Sequence, residues 1–400
     1  MSKNTLTKQL KSNPQKITKG EKLMEFTVNA KKFKEILNKV TTILGVEEMK
    51  LNNYIKLTAE QNTVNIQANN FEGGISVNID AEIKENGTAT VAAKLINTLI
   101  AKTETELLNI KTEQNKLIIT SDGIKAELKT TDFNFTEYPN PCNGQTITTN
   151  SQEFAKALTV ASAFCNEKAT NGLQGININF SKGKTKATGF SSNMGTVYET
   201  NTKENNDAAF LISKKCASIL ETLCKNSETE NINLTIEGSL LFYTDASTTF
   251  TSRLISANYP DVNRIFANNK AQKQIIEKQK LIKALDRISC FIPAECMNPV
   301  ILESKGNTLK LNIKSELGEN TEEIPVEGAQ VETIIALNCN YLMKILKKAD
   351  TDKINFYINN PLQPAFITTD KAQFVISPVR TPQTSKKTSP KEEKTIRQAA

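Results

Sequence analysis

Three stretches of the chain open alike: MEFTVNAKKFKEILNKVTTI from Met24, QTITTNSQEFAKALTVASAF from Gln145 and KQIIEKQKLIKALDRISCFI from Lys273. Each begins with a short alternation of apolar and polar residues, passes a polar residue, and continues with apolar residues three and four apart. The first period is that of a half-buried strand and the second that of a helix with one buried stripe. Phe33, Ile36, Leu37 and Val40 form the first stripe, Phe154, Leu158 and Ala161 the second, and Leu281, Leu285 and Ile288 the third. More strand-like text follows each opening, then a second strand–helix unit: ATVAAKLINTLIAKT, AAFLISKKCASILETLC and TIIALNCNYLMKILKKA. Each copy closes on alternating strands, with hairpin turns expected at Asp122-Gly123 and Glu237-Gly238.

Two helices and several antiparallel strands, repeated three times at about 120 residues, predict an α+β protein of three similar domains, each with two helices packed on antiparallel sheet. Pro-bearing links at TEYPNPCNG (136–144) and ANYPDVNRIFANN (257–269) set the expected domains at 24–144, 145–268 and 269–381. Residues 1–23 are polar and basic and are expected to be disordered. Lys19-Gly20-Glu21 can be encoded as a purine-rich ribosome-binding sequence, so Met24 is a candidate true start. Residues 382–400, rich in Ser, Thr and Lys, are expected to form a disordered basic tail.

Composition narrows the chemistry. The 400 residues include no histidine and no tryptophan. The cores are therefore aliphatic, and every Ser-His, Cys-His or His-metal mechanism is excluded. Seven cysteines without a C-x-x-C pair read as reduced core residues of a cytoplasmic protein, and no run is apolar enough to span a bilayer. No cofactor or metal is expected. Acidic pairs such as Glu47-Glu48 and Glu322-Glu323 read as solvated loop residues rather than an enzyme's acid and base. Of the net charge of +7, residues 1–23 contribute +5 and residues 382–400 contribute +3, so the body between them is near neutral. Contact with a polyanion would require its charges to be gathered on one face.

The exposed sides of the helices supply such a gathering. The first helices carry Lys31, Lys32, Lys34 and Lys39, then Lys156, then Lys280, Lys283 and Arg287, against Glu35, Glu153 and Asp286. The second helices carry Lys94 and Lys102, then Lys214, Lys215 and Lys225, then Lys344, Lys347 and Lys348. One helix with this bias is ordinary solvation. Six with it in a near-neutral body predict a surface that meets a phosphate backbone without reading sequence.

Several stretches carry a resemblance: MEFTV at 24–28, Ala187-Thr188, Tyr259-Pro260-Asp261 with Arg264-Ile265, ALDRISCF and NPVILES within 284–304, NCNYLMKIL at 338–346, and Pro378-Val379-Arg380. In this order and spacing they resemble the β subunit of bacterial DNA polymerase III, the sliding clamp, over residues 24 to about 381. The resemblance implies a head-to-tail homodimer whose six domains close a ring, with helices lining a hole for duplex DNA. It implies no catalysis: a topological tether that slides on double-stranded DNA and gives a polymerase its processivity. The implied partners are the DNA polymerase III catalytic subunit, the clamp loader and other replication and repair proteins, with no membrane partner.

The resemblance also implies a hydrophobic peptide-binding groove between the second and third domains. Leu173, Thr188 and Met194 match it in the second domain, Pro260, Arg264 and Ile265 in the link, and Val375, Ile376, Ser377, Pro378, Val379 and Arg380 at the end of the third. By the same match Phe291 and Ile292 are the dimer-interface candidates, and Lys168, beside Glu167, joins the DNA-facing set. The chain departs from the family where Gly189-Phe190-Ser191-Ser192-Asn193 replaces an acidic residue, a small residue and His-Arg. That leaves the rim uncharged and points to an altered peptide preference. The other readings are an enzyme, for which no motif is present, and a divergent accessory or mobile-element clamp with a changed groove.

Overall fold

The computed structural model describes residues 23–44, 53–70, 72–132, 141–170, 172–202, 207–267, 272–293, 299–328 and 332–381. The expected N-terminal extension up to residue 22, Glu47-Glu48, Cys296 and the tail 382–400 lie outside the described residues. The chain divides into two compact units at Glu137/Tyr138.

In the first unit, strand β1 (Glu25–Asn29) enters helix α1 (Ala30–Thr41). Strands β2 (Tyr54–Glu60), β3 (Thr63–Asn69), β4 (Gly73–Asp80), β5 (Glu82–Glu85) and β6 (Gly87–Ala92) follow. Helix α2 (Ala93–Ala101) and strands β7 (Leu107–Glu113), β8 (Lys116–Ser121) and β9 (Ile124–Lys129) complete the unit. β1 pairs antiparallel with β7, giving the order β5-β1-β7-β8-β9, while β4, β3, β2 and β6 pair in that order. The Asn29 carboxamide accepts from the Lys32 backbone N–H and caps α1, whose Phe33, Leu37 and Val40 are fully buried. Ile36, expected on the same stripe, is only half-buried.

Apart from β5, which has no counterpart among its described elements, the second unit runs the same course twice. The first pass is β10 (Gln145–Asn150), α3 (Ser151–Phe164), β11 (Gly175–Ser181), β12 (Lys184–Phe190), β13 (Met194–Asn201) and β14 (Ala208–Ser213), then α4 (Lys214–Lys225), β15 (Asn231–Glu237), β16 (Leu240–Thr244) and β17 (Thr248–Arg253). A short helix α5 (Asn263–Ala267) links to β18 (Gln272–Glu277), α6 (Lys278–Ser289), β19 (Pro299–Lys305), β20 (Thr308–Ser315), β21 (Gly318–Pro325) and β22 (Thr333–Asn338). Helix α7 (Cys339–Lys348) and strands β23 (Lys353–Ile358), β24 (Ala365–Thr368) and β25 (Ala372–Ile376) end it.

The pairing repeats as well as the order. The opening strand of each copy joins the first closing strand (β1–β7, β10–β15, β18–β23). The first middle strand joins the one before the second helix (β2–β6, β11–β14, β19–β22). The hairpins expected at Asp122-Gly123 and Glu237-Gly238 are present, and both glycines take positive φ, 73° and 59°.

Register through β13 and β25, with Met194 opposite Ile376 and Gly195 opposite Val375, fuses two four-stranded halves into one sheet, β14-β11-β12-β13-β25-β24-β23-β18. Helix α3 packs on β12 and β13, α4 on β14 and β11 and α7 on β25, while α6, which follows β18, packs chiefly on β21 of the four-stranded sheet β21-β20-β19-β22. Ring contacts on this covered face join Phe154 to Phe180, Phe180 to Phe210, and Phe164 to Phe374. Each fully buried Phe or Leu of this layer contributes about 1.5–3 kcal/mol.

Four cysteines (165, 216, 224 and 339) are buried, as a reduced core requires, and burial pushes the Cys165 and Cys339 thiols up to about 11. Cys142 and Cys290 are exposed, which corrects the reading of all seven as core residues. Glu322 and Glu323 are not loop residues. They lie on β21, where Arg287 of α6 holds Glu322 through two hydrogen bonds of 2.6 and 2.7 Å.

Candidate functional site

The cationic helix residues divide by what holds them. Lys31, Lys32, Lys94, Lys102, Lys168, Lys215, Lys283 and Lys347 are exposed. Lys34 donates at 2.8 Å to the Ala101 carbonyl and so satisfies the C-terminal end of α2. Lys39, half-exposed, sits in the last turn of α1. Lys156 pairs with Glu153 three residues earlier at 3.3 Å, Lys225 with Glu221, and Lys280 with Glu277 at 2.9 Å. Glu167, beside Lys168, takes up Lys214 at 3.5 Å. Arg287 is committed to Glu322 through two hydrogen bonds, so its charge is neutralised within the chain.

Helix α7 gathers like charges. The Lys344 ammonium lies 5.7 Å from the centroid of the Phe164 ring on α3. Burial, then the charges of Lys214 and Lys348, hold Lys344 below the ordinary lysine range. A group so placed gains from any anion brought near it.

The opposite face of the eight-stranded sheet carries the groove candidates, and strand alternation sorts them. Thr188, Val375 and half-buried Leu173 belong to it, with Leu173 packed on the Val375 cluster. Met194 and Ile376, opposite each other in register, are one position out of phase with Val375. They therefore turn to the helix-covered face and are 9% and 0% exposed. Pro260, Arg264 and Ile265 project from the link. Arg264 reaches Asp261 at 3.3 Å, and Ile265 is 40% exposed. Ser377, Pro378 and Val379 are half-buried and Arg380 is exposed. Their backbone is fixed by Ser377 N–H to the Asn193 carbonyl and Val379 N–H to the Ala336 carbonyl, both 2.8 Å.

Sequence reasoning named Val375 on this face but missed the other residues that fill it. Phe190, Val262, Phe366 and Val375 form a buried apolar cluster, with Tyr259, Phe266, Val197 and Tyr357 packed against it. Burial pushes the Tyr259 phenol far above its ordinary range. Toward the polar half of the same face, a pocket of about 170 Å³ lies between Phe266, Val197, Lys186, Glu199 and Lys371. The signal for Phe190 and Phe366 was one of alternation, visible only once β12, β13, β25 and β24 are known to be neighbours.

Phe291 and Ile292 lie just past α6, half-buried, their N–H groups bonded to the Ile288 and Ser289 carbonyls. The Phe291 ring lies against Gly318 at the start of β21, beside Leu317, which is 61% exposed.

The class defined by this architecture is an α+β repeat protein with cation-bearing helices on one face of its sheet and an aromatic cluster on the other. Two family models then match it. The DNA polymerase III beta subunit N-terminal domain matches residues 24–141, and the C-terminal domain of the same subunit matches residues 263–381. The chain belongs to the DNA polymerase III beta subunit family, the sliding clamps, whose members are processivity factors and not enzymes. It is 24% identical over 380 residues to the beta sliding clamp of Staphylococcus epidermidis, covering 90% of this chain and all of that protein. It is 23% identical over 347 residues to the clamp of Rickettsia bellii, covering 82% and 91%. Among solved structures, the Bacillus subtilis sliding clamp superposes with a TM-score of 0.84 at 18% identity, covering 90% of this chain and 99% of that one. A Pseudomonas aeruginosa clamp bound to griselimycin gives 0.83 at 17%, covering 90% and 100%.

Proposed function

We propose that two copies of this chain close head to tail into a ring around duplex DNA, with three domains per copy at 24–144, 145–268 and 269–381. The ring slides without reading sequence and tethers a DNA polymerase III catalytic subunit. The observation that supports this is the threefold repetition of order and register, in which a lysine-bearing helix follows the opening strand of every copy. Phosphates recur every ~1.7 Å of duplex, so exposed ammonium groups on flexible stems exchange one phosphate for the next at little cost. Ion pairs such as Lys280–Glu277 soften that grip further, and a soft grip suits sliding.

Closure has a physical basis in two sheet edges. β9 ends one sheet and exposes Lys125 and Lys129 against one Glu127, a net positive edge; β21 ends another and exposes Glu319 and Glu323. Such edges with opposite charge favour pairing with each other over self-pairing. Phe291, resting on Gly318 at the start of β21, adds an apolar anchor with Ile292 and Leu317.

The groove residues Leu173, Thr188, Val375 and Ile265 would receive short peptides from the polymerase, the clamp loader and other replication and repair proteins. A cytoplasmic site of action accords with this work, and no helix among the described residues is long and apolar enough to cross a membrane.

Nicked circular DNA tests the reading. Loaded protein should stay on the circle through gel filtration in high salt and leave when the DNA is linearised. The Phe291→Ala, Ile292→Ala double variant should run as a monomer in light scattering and be lost from both. Equal retention on circle and line would mean ordinary basic binding and no ring.

A further inference from the structure

Within the aromatic cluster, Phe190 fills space that another residue leaves for it. Phe190 is the last residue of β12, next to the turn in which Ser191 N–H and Oγ both donate to the Met194 carbonyl at 2.8 and 3.0 Å. A Cβ on Gly195 would stand 2.3 Å from Cδ1 and 2.5 Å from Cε1 and Cγ of the Phe190 ring. The glycine on β13 is thus the slot and the ring is its content. Above the slot, Phe266 of α5 meets Phe190 edge-on, with centroids 6.2 Å apart and planes at 75°, and also meets Phe366 at 5.8 Å. Phe190, Val262, Phe366 and Val375 are only 6 to 8% exposed, while Ile265 in the same short helix is 40% exposed. An apolar seat for one large side chain therefore exists between sheet and link, and the chain's own phenyl ring occupies it.

We propose that Phe190 is a built-in plug: its ring holds the seat that a leucine or phenylalanine side chain of an extended partner segment takes on docking, and so sets the affinity and selectivity of the groove. This rests on the groove reading given above. The seated ring itself indicates the class of side chain the pocket accepts. An incoming anchor replaces an aromatic contact that is already made, so docking gains only the difference. Apparent affinity is reduced by the fraction of time the seat stands open. Side chains that cannot match a phenyl ring in apolar contact are rejected, which makes the plug a filter as well as a tax.

The test is fluorescence anisotropy of a labelled peptide, Ser-Leu-Ser-Leu-Phe, titrated with the full-length protein and its Phe190→Ala and Phe190→Leu variants. Phe190→Ala should bind at least about tenfold more tightly than the natural chain, with Phe190→Leu between them. Should Phe190→Ala lose its cooperative melting transition, Phe190→Leu carries the test, with an expected gain of several-fold. A natural chain that binds as tightly as the variants, or more tightly, overturns the plug and leaves the groove intact. No binding by any of the three overturns the groove reading, and the plug with it.

Discussion

The two faces of the eight-stranded sheet are built from the same strands by alternation, yet they are closed in different ways. On the helix-covered face the contact is backbone to backbone. Gly189 lets the carbonyl of Ala161 in α3 approach so closely that a Cβ would stand 2.0 Å from its oxygen. One residue on, Phe190 turns to the other face, where the close contact at Gly195 is with a side chain. Helix backbone retreats only if the packed helix end moves with it, whereas a ring at a strand end can swing out alone. The first face is fixed architecture. The second can be reopened, and that is the property a partner-binding face needs.

Two glycine substitutions turn this contrast into numbers. Gly189→Ala should cost about 3 kcal/mol in urea unfolding, because α3 must lift off β12. Gly195→Ala should cost about 1–2 kcal/mol, since the Phe190 ring can swing out of the slot. Adding Phe190→Ala to Gly195→Ala should cost less than the two single losses combined, with a coupling of about 1 kcal/mol. If Gly195→Ala proves the costlier change, or the double variant is simply additive, the two faces are equally rigid and the contrast fails.

The covered face was the legible one. The α3 stripe of Phe154, Leu158 and Ala161 declares itself because its spacing is local, and its burial is complete. The threefold order of strands and helices was readable for the same reason. The other face depends on β13 lying beside β25, and no short-range pattern encodes that pairing. Hence Val375 and Ile376 looked equivalent in the sequence, although one lies in the aromatic cluster and the other turns away from it. The same blindness hid the partners of charged residues. Arg287 read as a surface cation until Glu322, 35 positions away, was found to hold it. Phe190 was visible only as a departure from the family pattern; its meaning required the glycine opposite.

The smallest effect lies at the charged seam of the covered face. Glu153, in the first turn of α3, accepts from Lys371 in the turn between β24 and β25 at 2.5 Å and from Thr200 Oγ on β13 at 3.0 Å, and pairs with Lys156. It joins the start of a helix in one half of the sheet to a turn in the other half. The Lys371 hydrogen bond, outweighing partial burial, holds its carboxyl below the ordinary value of 4.5. A carboxylate whose pKa is lowered in the folded state binds fewer protons there than in the unfolded chain. Its contribution is therefore complete above about pH 4.5 and disappears as pH falls through the lower folded value. Both partners are part-exposed, so the network is worth about 1 kcal/mol, not more. Glu153→Gln should lower stability by that amount at pH 7 and by nearly nothing once the natural carboxyl is protonated, so the two unfolding curves converge on acidification. A constant gap between them would assign the loss to packing at the helix start, and the seam would then be as rigid as the glycine contact beside it.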